Sequence, residues 1–157
     1  MRIGFGYDSH SFDPDRTCIL GGVEIPDSPG LAGFSDGDAV AHAVTDAILG
    51  AAALGDIGAH FPPGDERWRG ADSMELLRKA VSMVEEAGFA VGNVDLTVIC
   101  EKPRIGPVAL RIRRSLAAVL RTTPQAVSVK GKTNEGMGWE GAGTGLAVHA
   151  VALLKRP

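Results

Sequence analysis

The 157-residue chain has little that would bind nucleic acid, cross a bilayer or staple the fold covalently. Its 16 Lys and Arg residues are outnumbered by 19 Asp and Glu, a formal net charge of −3. That lacks the basic excess of a nucleic-acid binder, so a polyphosphate partner would need local cations or metal ions. Two cysteines, Cys18 and Cys100, allow one bridge at most, and Cys100 ends an apolar strand-like run, so both are read as reduced and structural. The longest apolar run, 145–154, is too short for a bilayer and contains His149. The opening Met1-Arg2-Ile3-Gly4-Phe5-Gly6 has no apolar signal region, so the expectation is a cytoplasmic protein with no membrane partner. Repeats, linkers and low-complexity tracts are absent, and the apolar content suits a single domain over 1–157 with one core.

What is present is a regular alternation of elements. Ile3, Phe5 and Tyr7 alternate with Gly4, Gly6 and Asp8, which predicts a short first strand with one buried face. A second strand is expected over Cys18 to Ile25. Ser35 is placed to cap a helix running from Asp36 to about Ala53, followed by a turn through Gly55-Asp56-Ile57-Gly58 and a Pro62-Pro63-Gly64 loop. Asp72 or Ser73 caps a second helix with Met74, Leu77, Val81 and Val84 on one face, ending at Gly88. A strand over 94–100, a helix over 107–121 and strands over 127–133 and 144–154 complete the order ββααβαββ. This predicts an α+β domain with a mixed β-sheet and helices packed on one of its faces.

The helix after Ser35 is the most informative element. Ala39, Val40, Ala41, Ala43, Val44, Ala47, Ile48 and Leu49 make it apolar around most of its circumference, yet Asp38, His42 and Asp46 recur every four residues along one face. Unpaired burial of a carboxylate costs several kcal/mol, so this stripe must be paired or metal-bound. Asp8 and His10, two apart on a strand, point the same way and supply a partner. Asp8, His10 and His42 would then be three ligands of a divalent metal with an open fourth position, as in catalytic zinc sites. Asp46, one turn beyond His42, is expected to accept the other imidazole N–H. His60 and His149 have no comparable setting and are read as structural.

Two further segments could meet phosphate. A helix beginning at Ser35 would offer its free N–H groups and the Ser35 hydroxyl to an anion, or simply be capped. Lys130-Gly131-Lys132-Thr133-Asn134-Glu135-Gly136 leaves a strand with two lysines, a hydroxyl and a carboxylate, and is either a phosphate and Mg²⁺ contact or a solvated hairpin. Arg111, Arg113, Arg114 and Arg121 read as a solvated basic helix face.

Taken together, Arg2-Ile3-Gly4, Asp8-x-His10, Ser35-Asp36-Gly37-Asp38 with His42 and Asp46, Gly55-Asp56-Ile57-Gly58, Phe61-Pro62, Lys102-Pro103-Arg104-Ile105 and Lys132-Thr133-x-Glu135 resemble the 2-C-methyl-D-erythritol 2,4-cyclodiphosphate synthases over nearly the whole chain. The resemblance implies a homotrimer with active sites between subunits, and a cytidine diphosphate substrate cyclised with release of CMP. It implies Zn²⁺ at Asp8, His10 and His42, and Mg²⁺ or Mn²⁺ held by Glu135 with the substrate phosphates. Thr133 would hydrogen-bond the α-phosphate, and Thr133, Glu135 and Asp46 would carry the catalytic roles. Asp56, Ile57 and Gly58 would meet the erythritol part, with Ser9, Ser35, Phe61, Pro62, Asp65, Lys132 and Asn134 lining the substrate site. Cys100-Glu101-Lys102-Pro103-Arg104-Ile105-Gly106 would form the cytosine pocket of the adjacent subunit. Trp139 would stand near the trimer axis, where an isoprenoid diphosphate could enter, or simply pack in the core.

Three departures fall in functional places. Phe34 stands where the resembled family has histidine, so a hydrogen-bond donor and potential charge are missing. Pro63 replaces the first carboxylate of a Phe-Pro-Asp-x-Asp loop, and Ala142 replaces an arginine. A non-catalytic cytidine or isoprenoid-diphosphate binder, and a zinc phosphohydrolase using the open metal position, are therefore the competing expectations.

Overall fold

The structure, a computed structural model, describes residues 1–157. Five strands form one mixed sheet in the order β2-β1-β5-β3-β4, with β1 at Arg2–Leu20, β2 at Val23–Leu31, β3 at Ala90–Ile99, β4 at Val127–Lys132 and β5 at Gly145–Lys155. Only β3 and β4 run parallel. Three longer helices, α1 (Ala39–Ala52), α3 (Ser73–Glu86) and α4 (Ala109–Val119), pack on one face of the sheet. Two one-turn helices, α2 (Ile57–His60) and α5 (Gly138–Gly141), lie in the segments expected to be turns or loops. No helix is long and apolar enough to cross a membrane.

The expected second strand over 18–25 is corrected. Cys18 to Leu20 end β1, and Gly21 and Gly22, both with positive φ, make the tight turn into β2. The expected helix start at Ser35 is corrected as well. Helix α1 begins at Ala39, and its cap is Asp38, whose carboxylate accepts the Ala41 N–H at 3.0 Å. Asp38 also accepts the Gly21 and Gly22 N–H groups at 2.8 and 2.7 Å, so one fully buried side chain ties the β1–β2 turn to the start of α1. Burial pushes this carboxyl up to about 6, against the pull of the Ala41, Gly22 and Gly21 N–H donors.

Strand β1 has the expected period but the opposite polarity. Ile3, Phe5 and Tyr7 are 74, 60 and 45% exposed, while Gly4 and Gly6 face α1. A Cβ on either glycine would lie 1.9 Å from a backbone oxygen of α1, Ala47 for Gly4 and Ala43 for Gly6. Strand and helix backbones therefore touch, which is what glycine in a strand permits. Arg113, expected on a solvated face, instead donates to the Val127 carbonyl at 2.8 Å and to the Pro124 carbonyl, holding α4 to the start of β4.

Candidate metal centre

The inward face of β1 continues from Gly4 and Gly6 to Asp8 and His10, and α1 presents His42 to the same place. The Asp8 Oδ2 lies 2.7 Å from His10 Nε2 and 2.9 Å from His42 Nδ1, with 3.3 Å between the two nitrogens. These three residues form a group able to hold a metal ion, each offering one ligand atom within 4.8 Å of the others. The outward nitrogens are also engaged. His10 Nδ1 faces the Ala32 carbonyl, and His42 Nε2 faces the Ser73 hydroxyl at 2.8 Å. Burial opposes ionisation of Asp8, but hydrogen bonds from His10 and His42 outweigh it and hold its carboxyl below the usual range. Burial likewise opposes a proton on His10, yet the bond and charge of Asp8 prevail and raise it.

Asp46 does not hold His42. Its Oδ1 accepts the Ile57 N–H at 2.8 Å, anchoring α2 one turn further along, and burial raises its carboxyl despite that bond. The His42 ring instead spans from β1 to the start of α3, so its free nitrogen is directed at Ser73. Ser35 offers no helix-terminal anion site, because the helix starts four residues later. Its hydroxyl is 3.1 Å from His42 Nε2 and 3.3 Å from Ser73 Oγ, and its backbone carbonyl is held by Arg16.

A cavity of about 250 Å³ opens beside the ligands, lined by His10, Ser35 and His42 and by Phe34, Ile57, Gly58, Phe61, Pro63, Trp68 and Leu76. Its wall is mostly apolar. Phe61 is buried edge-on to Trp68, and the Arg69 guanidinium lies 4.7 Å over the Phe34 ring. Trp68 and Leu76 had no sequence signal beyond hydrophobicity.

A model of the YgbB family matches residues 1–155. The chain belongs to the YgbB family. Among its relatives, the 2-C-methyl-D-erythritol 2,4-cyclodiphosphate synthase of Symbiobacterium thermophilum is 52% identical over 154 residues, covering 98% of each chain. A solved 2C-methyl-D-erythritol-2,4-cyclodiphosphate synthase in a CDP-bound form superposes with a TM-score of 0.90 at 39% identity, covering 98% of this chain and all of that one. The bifunctional IspDF of Campylobacter jejuni superposes with a TM-score of 0.96 at 39% identity over 99% of this chain, which spans 42% of that longer protein.

The other expected site residues of this YgbB chain fall into separate groups. Asp56 caps α2 by accepting the Ala59 N–H at 2.8 Å, which sets Ile57 and Gly58 against the metal-side cavity, and Pro62 follows Phe61 at its edge. Asp65 caps the turn at 66–68 and pairs with Arg67 at 2.6 Å, so its carboxylate is already occupied. Ser9, His10 and Trp139 border a second cavity with Ser11 and Thr144. Trp139 is 42% exposed, so core packing does not explain it.

Cys100, Glu101, Pro103, Arg104, Ile105 and Gly106 line a third cavity of about 430 Å³ with Lys132 and Thr133, and Lys102 borders the neighbouring cleft. Burial, with contributions from Cys18 and Glu101, pushes the Cys100 thiol up to about 11. Both cysteines are free and buried. Thr133 and Glu135 sit on an exposed loop, Glu135 with a positive φ of 54°, and the Asn134 N–H donates to Glu101 Oε1 at 2.9 Å, fastening that loop to the 100–106 segment. The metal-side cavity contains no residue of 100–106, and the 100–106 cavity contains no metal ligand.

Proposed function

We propose that the chain is a 2-C-methyl-D-erythritol 2,4-cyclodiphosphate synthase. The 2-phosphate oxygen of 4-diphosphocytidyl-2-C-methyl-D-erythritol 2-phosphate attacks the β-phosphorus, the bond to the α-phosphate oxygen breaks, and CMP leaves without consumption of water. The observation that carries this reading is the convergence of Asp8, His10 and His42 in a chain 52% identical to a relative bearing that name.

Two imidazole nitrogens and one carboxylate oxygen suit zinc with an open position. The fit is supported by the outer nitrogens, each next to its own oxygen partner, which leaves Nε2 of His10 and Nδ1 of His42 turned toward a common point. A zinc ion held there would bind and polarise a diphosphate. Asp56, Ile57 and Gly58 would orient the erythritol, and the apolar wall of Phe34, Phe61 and Trp68 would keep water from the reacting phosphates. Thr133 would donate to the α-phosphate, and Glu135 would hold Mg²⁺ or Mn²⁺ beside it. Phosphoryl transfer asks the protein mainly for alignment and charge neutralisation, so an acidic chain can serve it.

A homotrimer completes the reading. The exposed Ile3, Phe5, Tyr7 and Val151 form an apolar sheet face that one chain leaves uncovered, the signature of an assembly surface. The metal-side and 100–106 cavities share no residues, which suits a site closed by two subunits. A cytoplasmic location fits a soluble, highly charged substrate.

Incubation with that substrate, Zn²⁺ and Mg²⁺, followed by phosphorus NMR, is expected to yield CMP and the cyclic diphosphate. Inorganic phosphate would identify a phosphohydrolase instead. Intact substrate with tight CDP binding would identify a non-catalytic binder in which Phe34, Pro63 and Ala142 had abolished turnover.

A further inference from the structure

We propose that Asp36 and Ser73 are positioning residues of the metal centre, which decide through a directed chain of hydrogen bonds which nitrogen of His42 faces the metal. This rests on reading Asp8, His10 and His42 as a metal centre, but not on the reaction that centre performs.

The direction of the chain follows from what each group can do. A carboxylate only accepts, so the Ser73 hydroxyl must donate to Asp36 Oδ1. Asp36 is held for that role by two backbone donors, the Ser73 N–H at 3.0 Å on Oδ2 and the Asp38 N–H at 3.1 Å on Oδ1. With its hydrogen committed, Ser73 Oγ has only lone pairs left for His42 Nε2, 2.8 Å away, so that nitrogen must carry the proton. A neutral imidazole has one N–H, and its other nitrogen, Nδ1, is then a free lone pair beside Asp8 and His10.

The chain has a competitor, which is why it is needed. Asp8 Oδ2 lies 2.9 Å from His42 Nδ1 and would itself accept a proton from that nitrogen, producing the tautomer that cannot bind metal there. Asp36 and Ser73 draw the proton to the opposite side of the ring. Ser35 Oγ, at 3.1 Å from Nε2, is a second acceptor at longer range. Ser73 is fully buried, so water cannot substitute for its hydroxyl.

The centre is thereby tied to the docking of α3. Ser73 is the first residue of that helix, and the Asp36 N–H donates to the Ala71 carbonyl at 3.1 Å, so the loop before α1 and the entry to α3 are fastened at the same point. The orientation of His42 depends on α3 being seated, although α3 supplies no ligand.

The test uses zinc-loaded protein labelled with ¹⁵N on histidine. The His42 resonances are expected to show metal on Nδ1 and a slowly exchanging proton on Nε2. Metal on Nε2, or an Nε2 proton exchanging as fast as in free imidazole, overturns the proposal without any variant. Ser73→Ala is expected to weaken zinc affinity by about 10- to 100-fold in chelator competition and to remove the protected proton, while Ser73→Thr restores both. Asp36→Asn, which keeps an acceptor oxygen, should fall between wild type and Ser73→Ala. Unchanged zinc affinity in a folded Ser73→Ala protein overturns the proposal. Failure of the wild-type chain to bind zinc removes the metal centre along with it, whereas zinc binding without the protected proton removes only this inference.

Discussion

Along β1 the residues facing α1 are Gly4, Gly6, Asp8 and His10, whereas those facing away are Ile3, Phe5, Tyr7 and Ser9. The inward set is small or polar and the outward set largely apolar, the reverse of a sheet with one solvated face. The contrast has two causes. Glycine lets the α1 backbone approach until nothing larger fits, and that short distance allows Asp8, a short side chain, to come within 2.9 Å of His42 on the helix. Of the outward side chains, Phe5 and Tyr7 rest against the His149 ring of β5, yet they and Ile3 stay largely exposed and are suited to meet another copy. Backbone closeness shapes one side of the strand, exposed apolar surface the other.

The largest expected effect breaks the inward side. Gly6→Ala puts a methyl 1.9 Å from the Ala43 carbonyl oxygen, so α1 must move or the fold must fail. A loss of about 3 kcal/mol or more in urea unfolding is expected, with weakened zinc binding in whatever folds. A Gly6→Ala protein as stable as wild type would show that α1 can retreat without harm.

Phe5→Asp, its neighbour on the outward side, should have the complementary effect. Light scattering is expected to show loss of the proposed trimer, while each chain still binds zinc within about threefold of wild type, because Phe5 lies on the face of β1 away from the candidate ligands. An unchanged particle mass would remove this face from the interface.

Asp38→Asn tests the cap that brings the β1–β2 turn to α1. An amide nitrogen would oppose one of three backbone donors, and a destabilisation of about 1–3 kcal/mol is expected. The pH dependence has a definite sign. The folded value, raised to about 6 from 3.8, makes the Asp38 contribution fully present below 3.8 and lost as pH rises through about 6. The advantage of wild type over Asp38→Asn in urea midpoint should therefore shrink across that window. A gap that widens with pH would mean the carboxylate is better solvated by its N–H donors than burial implies.

Asp46→Asn should do least. It weakens the bond to the Ile57 N–H by about 1 kcal/mol and leaves zinc affinity unchanged. A tenfold loss of zinc affinity would return Asp46 to the metal centre.

Much of this was legible in the sequence. The alternation along β1, the buried helix carrying His42 and the three candidate ligands all follow from spacing. The polarity of β1 does not, because alternation alone places apolar residues in the interior of one chain, although Gly4 and Gly6 signal a close backbone approach. The cap at Asp38 is not legible because Ser35 is an equally good capping residue, and the choice depends on the turn at Gly21 and Gly22. The partner of His42 was hidden for a simpler reason. Ser73 lies 31 residues away, in a position that reads as an ordinary helix start, and Asp46 was nearer in sequence.

Strand β1 pairs with β5 from Arg2↔Leu154 to Ser11↔Gly145, with Asp8 opposite Val148 and His10 opposite Leu146. The strand that carries two of the three candidate ligands thus finds its neighbour far along the chain, beyond every helix of the core. Loop closure over such a span slows folding, and a nascent chain must keep its early segment unpaired until β5 emerges. The candidate ligands are consequently brought together only after this long-range pairing has formed, so a metal ion would be captured by a chain that has already folded.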